Sequence, residues 1–187
     1  MKHISLISKQ DADPASRKLW ESMGDFDLAL FHLTAHAPSS MEGWMRFGGT
    51  IWDEQEGGMP MLLKEMAVVQ TSVLSNSSYE WGNHGANMIR RGATQEQLDA
   101  LVIGQPDSEV FNDTEKLVLK FTTEMTIDAR PTEETLTALS EQFTARQITE
   151  LVFGICGYMM NSRLANLGGC ELGDDEDYGN FNLGRKT

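Results

Sequence analysis

The sequence predicts an all-α protein, and three observations lead there. Apolar residues recur at helical spacing along most of the chain, strand-like alternation is confined to residues 4–7, and helix start and stop signals are frequent. With 187 residues the chain is long enough to bury most of its apolar surface in one domain. No linker divides residues 1–172, so the expected organisation is one helical domain followed by a non-helical tail, residues 173–187.

The elements follow in order. Pro14 stands at a first helical position, ahead of Leu19, Trp20 and Met23, with Gly24 as a stop. A second helix covers residues 28–36 and ends at Ala37-Pro38, because the residue before proline avoids the helical region. Ser39 or Ser40 caps a third helix, which carries Trp44, Phe47, Ile51 and Trp52 on one side. Residues 54–60 read as a loop. Residues 61–74 then give the strongest helical signal of the first half, with Leu62, Met66, Val69 and Val73 on one stripe and Leu63, Ala67 and Leu74 beside it. Lys64 marks the expected solvent side of that helix.

Asn76-Ser77-Ser78 interrupts the pattern, and a helix over residues 79–91 stops at Gly92. Four more follow, over residues 95–103, 113–125, 133–142 and 145 to about 167. The apolar run 151–160 is broken by Gly154 and Gly157 and is too short for the ~30 Å of a bilayer core, so it reads as a core helix. Four helix starts show the spacing of a capping box, in which a side-chain oxygen and a Glu or Gln three residues on satisfy orphan backbone donors. They are Ser77/Glu80, Thr94/Gln97, Asn112/Glu115 and Thr144/Gln147.

Apolar residues at 40% and charged ones at 23% are ordinary globular usage. The net charge of −13 repels phosphate backbones and anionic lipid, since binding to them rests on Lys and Arg. Nucleic acid and membrane are therefore not expected partners. The first ten residues do not resemble a secretory signal, which makes the expected location cytoplasmic. Cys156 and Cys170 form no CxxC pair and have no histidine at zinc-ligand spacing, so both are expected to be small buried hydrophobes.

Residues 65–84 place three ionisable groups where a buried helix meets the start of the next. Glu65 falls between Met61 and Val69, so its carboxylate is at least partly buried and needs either a partner or a chemical role. Glu80 and His84 are four apart and share a helix face. The plain alternatives are a structural ion pair for Glu65, capping for Glu80 and core packing for His84. A carboxylate beside an imidazole, however, holds its tautomer and lets it move a proton at neutral pH. His32 and His36 form a second such pair without a matching carboxylate and read as packing or surface residues. A metal site on Glu65, Glu80 and His84 is disfavoured by the single histidine.

Glu65, eleven intervening residues, and then Ser77-Ser78-Tyr79-Glu80-Trp81-Gly82-Asn83-His84 resemble the carboxymuconolactone decarboxylase and alkylhydroperoxidase-D-like family. In its peroxidase branch a glutamate precedes CxxCxxxH at this spacing. Ser77 and Glu80 stand at the two cysteine positions, and Glu65 and His84 match the proton-relay glutamate and histidine. The resemblance spans roughly residues 27 to 172, including Tyr158, Asn161 and Asn166-Leu167-Gly168 of the closing helix. It implies an alkylhydroperoxidase-D-like helical bundle, catalytic His84, Glu65 and Glu80, and Tyr79, Trp81 and Ser77 around the substrate. No metal or other cofactor is implied.

The expected function is cofactor-free acid–base decarboxylation, or a related lyase or isomerase proton transfer, on a small lactone or keto acid. Arg90, Arg91 or Arg163 would supply the cation that an anionic substrate needs. The alternative is an oligomeric binding or regulatory module of the same fold. Without a dithiol there is no sulfenic acid with a resolving thiol, so thiol peroxidase activity is not expected. The resemblance also implies a homo-oligomer, trimer or hexamer. In it, Tyr178, Phe181 and Leu183 of the tail would dock in apolar grooves, partly on a neighbouring chain.

Overall fold

A computed structural model describes residues 4–24, 27–172 and 174, and among them holds nine helices and no strand. In order these are α1 (Pro14–Glu21), α2 (Ala29–Thr34), α3 (Pro38–Ile51), α4 (Met61–Leu74), α5 (Ser78–Arg90), α6 (Gln95–Val102), α7 (Asp113–Ile127), α8 (Glu133–Gln142) and α9 (Ala145–Gly168). Each helix expected from sequence is present. The third starts earlier than expected, at Pro38 rather than after Ser39 or Ser40. Proline has its φ preset for a first helical position and no N–H to leave unsatisfied there. Ala37 before it stays outside the helical region, at φ −133° and ψ 78°.

Helix α4 is the axis of the fold, packed against α5, α7 and α9. Its Leu63, Met66 and Val69 meet Met88 of α5, Leu101 of α6, Val118 and Phe121 of α7, Leu139 of α8 and Leu151 and Ile155 of α9 in the main core. A smaller cluster of Trp20, Phe31 and Met41 joins α1 to α2 and α3. Because neighbours surround α4, it has no solvent side at Lys64. That residue is 3% exposed, and its ammonium donates to the Ile51 carbonyl at 3.2 Å and lies 3.3 Å from Glu150 Oε2. A buried lysine persists only when paired in this way.

His32 of α2 and His36, just past its end, hold the N-terminal segment. His32 Nδ1 lies 2.9 Å from the Ile7 carbonyl and His36 Nε2 lies 2.8 Å from that of Ser5. His32 does have a carboxylate neighbour, Asp27 at 3.1 Å, supplied by the preceding loop and invisible to helical spacing. Cys170 is buried as expected, whereas Cys156 is exposed. It sits within one turn of the outward-facing Phe153 and Met160 of α9, so the apolar character of this helix continues onto the surface. After Gly169, at φ +61°, the chain returns over α5, and Leu172 lies where a side chain at Gly82 would be. Tyr178, Phe181 and Leu183 lie outside the described residues.

Candidate active site

Three of the four expected capping boxes close, at Thr94/Gln97, Asn112/Glu115 and Thr144/Gln147. The fourth does not. Ser77 has the extended N-cap backbone, φ −108° and ψ 95°, but its side chain makes no cap hydrogen bond. The local path explains why Glu80 is not drawn back to it. The Ser77 N–H, which the third-position glutamate of a capping box would satisfy, already donates to the Ser72 carbonyl at 2.9 Å. Glu80 therefore does not close the capping box, and its Oε2 lies 3.9 Å from His84 Nε2 on the same face of α5.

On the other side of the ring, His84 Nδ1 lies 2.8 Å from Oε2 of Glu65. Helix α4 delivers Glu65 and α5 delivers His84, and both residues are 1% exposed. With Glu65 ionised, Nδ1 carries the proton and donates it to Oε2, which fixes the tautomer and presents Nε2 to Glu80. The two carboxylates approach opposite nitrogens of the ring, so their oxygens do not converge as ligands on one metal must. Among the described residues no group of three His, Cys, Asp or Glu side chains is arranged to hold a metal ion.

Aromatic rings frame the imidazole. Trp52, just past the end of α3, stacks on it with centroids 5.2 Å apart and planes 16° from parallel. Tyr158 of α9 meets it edge to face at 4.5 Å and 77°. Trp52 Nε1 donates to the Tyr158 hydroxyl at 2.9 Å, tying the two walls together. Sequence reasoning missed Trp52, which reads there as one apolar residue of α3. Tyr158 entered only through the resemblance to the closing helix. Neither carries a local signal, because both reach His84 through tertiary packing.

The other expected site residues are placed differently. Tyr79 is buried in a packing cluster with Ala29, Leu30, Ala165 and Cys170. Trp81 is half-buried against the main core. The Ser77 hydroxyl is buried and has no hydrogen-bond partner among the described residues. The arginines are engaged elsewhere: Arg90 with Asn87 at 2.8 Å, Arg91 with Glu54 at 3.5 Å and Arg163 with the Met159 carbonyl at 2.7 Å. The structure thus brings together Glu65, Glu80 and His84 and adds Trp52 and Tyr158.

Comparison with known proteins agrees with this frame. The model of the carboxymuconolactone decarboxylase family matches residues 38–123. No curated protein sequence matches the chain. Among solved structures, an uncharacterised peroxidase-related protein from Ralstonia eutropha JMP134, described as an alkylhydroperoxidase AhpD core, superimposes with a TM-score of 0.76 at 18% identity, covering 91% of this chain and 92% of the other. A putative antioxidant defence protein AhpD from Agrobacterium tumefaciens gives 0.65 at 14% identity, over 74% and 93%. The debrominase Bmp8 gives 0.72 at 14% identity, over 97% and 98%. At these identities the structures establish a shared all-helical fold, that of alkylhydroperoxidase-D-like proteins. The stretch that the carboxymuconolactone decarboxylase family model matches, residues 38–123, is the one that carries Glu65, Glu80 and His84.

Proposed function

We propose that this protein is an enzyme that moves protons at a carbon next to the carbonyl of a small lactone or keto acid, without a cofactor. One observation carries the reading: Glu80 is withdrawn from its capping role and joins Glu65 in flanking His84, in a chain whose other three capping boxes all close. A buried carboxylate is costly to keep, and two of them on opposite nitrogens of one buried imidazole suit proton transfer.

In a decarboxylation on this site, the bond between the substrate carbon and its carboxylate breaks, carbon dioxide leaves, and the electron pair passes into the carbonyl as an enolate. His84, which must first carry a proton on Nε2 as well as on Nδ1, then delivers the Nε2 proton to that carbon. Glu80 restores the proton to the ring, and Glu65 holds the ring's orientation through Nδ1. Isomerisation uses the same groups, with proton removal in place of carbon dioxide loss. The Ser77 hydroxyl supplies a polar contact to substrate, while Trp52 and Tyr158 shape the walls. The debrominase neighbour, solved in complex with 2,3,4-tribromopyrrole, lends support to a small cyclic substrate for this fold.

The same proposal includes a cytoplasmic homo-oligomer, trimer or hexamer. Phe153, Met160 and Leu167 are exposed at intervals of seven along α9, an apolar stripe suited to a subunit contact. No described helix is long and apolar enough to cross a membrane.

The test is to screen lactones and keto acids for carbon dioxide release and for deuterium wash-in from heavy water, with His84→Ala and Glu65→Gln as controls. Turnover that is lost in both variants while circular dichroism is kept supports the reading. Turnover unchanged in His84→Ala refutes it. Absence of both reactions across the panel favours the oligomeric binding module instead. Peroxide consumption that disappears in a Cys156/Cys170 double mutant would overturn the exclusion of thiol peroxidase chemistry.

A further inference from the structure

A cavity of about 270 Å³ opens between α3, α4 and α9, lined by Phe47, Thr50, Ile51, Lys64, Glu150 and Phe153. It shares no lining residue with the His84 site. Its size is close to the lower end, about 300 Å³, of pockets that hold small ligands. Phe47 and Phe153 meet edge to face with centroids 6.0 Å apart and form an aromatic wall on one side of it.

Its charge is unusual for this chain. Lys64 is the one buried Lys or Arg among the described residues. Its partner Glu150 is shared, since Glu150 Oε1 also accepts from Arg146 Nε at 2.8 Å and Oε2 from the Met59 N–H at 2.9 Å. Two cations therefore face one carboxylate, leaving one positive charge at the cavity within a protein of net charge −13. The neighbouring Glu65 does not alter this count, because its carboxylate is bonded to His84 on another face of α4. An ammonium has three donors. Two are used, on Ile51 and Glu150, and one remains.

We infer that this cavity is a binding site for a small monocarboxylate with an apolar or aromatic body, its carboxylate on Lys64 and its body against Phe47 and Phe153. A structural bridge needs only the Lys64–Glu150 contact. An aromatic-walled space beside a cation with a donor to spare also suits an anion with an apolar side. The inference does not depend on the reaction proposed for His84.

The probe is benzoate, titrated into the full-length protein with the Ile51 methyl group followed by NMR, and with benzyl alcohol as the neutral counterpart. All arms are run at one protein concentration, so that assembly through the Phe153 stripe is common to them. Benzoate is expected to saturate the Ile51 shift and to bind at least tenfold more tightly than benzyl alcohol, since hydrogen bonds to charged groups are the stronger ones. Lys64→Met should weaken benzoate at least tenfold and leave benzyl alcohol nearly unchanged. Glu150→Gln should act the opposite way, tightening benzoate several-fold by removing the competing carboxylate. This second variant decides the matter even if Lys64→Met fails to fold. No saturable shift at Ile51, equal affinity for the two probes, or weaker benzoate binding in Glu150→Gln would each overturn the inference.

Discussion

Replacing one member of the Glu65–His84 pair by leucine strands the other in a site where each is 1% exposed. Removing one partner of a buried charge-assisted hydrogen bond costs about 3–5 kcal/mol, because the remaining group loses its partner without regaining water. For a domain of this length each kcal/mol lowers Tm by about 2–4 °C. Glu65→Leu and His84→Leu should therefore each unfold roughly 6–20 °C below the parent. The double variant Glu65→Leu/His84→Leu strands neither group, and apolar replacement of a whole buried pair is often neutral or stabilising by about 1–4 kcal/mol. Glu80 loses its neighbour at 3.9 Å in both His84 variants, so complete recovery should also need Glu80→Gln. The double variant should regain at least half of the summed loss, a coupling of about 3 kcal/mol or more. Calorimetry at fixed protein concentration measures all four proteins. A double variant whose Tm falls by the sum of the single losses would refute the pairing and leave two independent packing residues. Recovery to or above the parent Tm would mark a pair that lowers stability and persists for its chemistry.

Other predictions concern the scaffold. Thr94→Ala opens a closed capping box and should cost about 1 kcal/mol, or about 2–4 °C in Tm, in a thermal melt. Gly85→Ala would bring a methyl to 2.9 and 3.1 Å from the two end carbons of Leu98, which must shift to admit it. A loss of about 1–3 kcal/mol in urea denaturation is expected, and an unchanged midpoint would show that α6 yields freely. The pH dependence follows from Glu150. Burial pushes its carboxyl up, but hydrogen bonds from the Met59 N–H, Arg146 and Lys64, and the Lys64 charge, together hold it below its ordinary 4.5. A carboxyl with a depressed folded-state pKa contributes stability above its unfolded value and loses it as pH falls through the folded one. Melts of the parent should therefore fall more steeply below about pH 4.5 than those of Glu150→Gln. Parallel profiles would remove Glu150 from the acid transition.

The helices were legible because their signals are local. Apolar spacing, Pro14, Gly92 and three capping boxes each act within a few residues, and the structure reproduces the helices they announce. Glu65, Glu80 and His84 were legible as candidates for a related reason: a carboxylate on an apolar helix face, and two ionisable groups one turn apart, are visible on a helical wheel. Tertiary packing decided the rest. Lys64 reads as surface on an isolated helix and is buried because α4 is enclosed by its neighbours. Cys156 reads as core and is exposed because the outer face of α9 remains apolar. Glu80 reads as a cap until the Ser72 carbonyl is seen to hold the Ser77 N–H. Trp52, just past α3, and Tyr158 of α9 reach His84 from segments far apart in the chain. Helix formation depends on neighbours within one or two turns, which a sequence displays. Burial, the partner of a charge and the walls of a site depend on how whole helices pack, and only the tertiary structure specifies that.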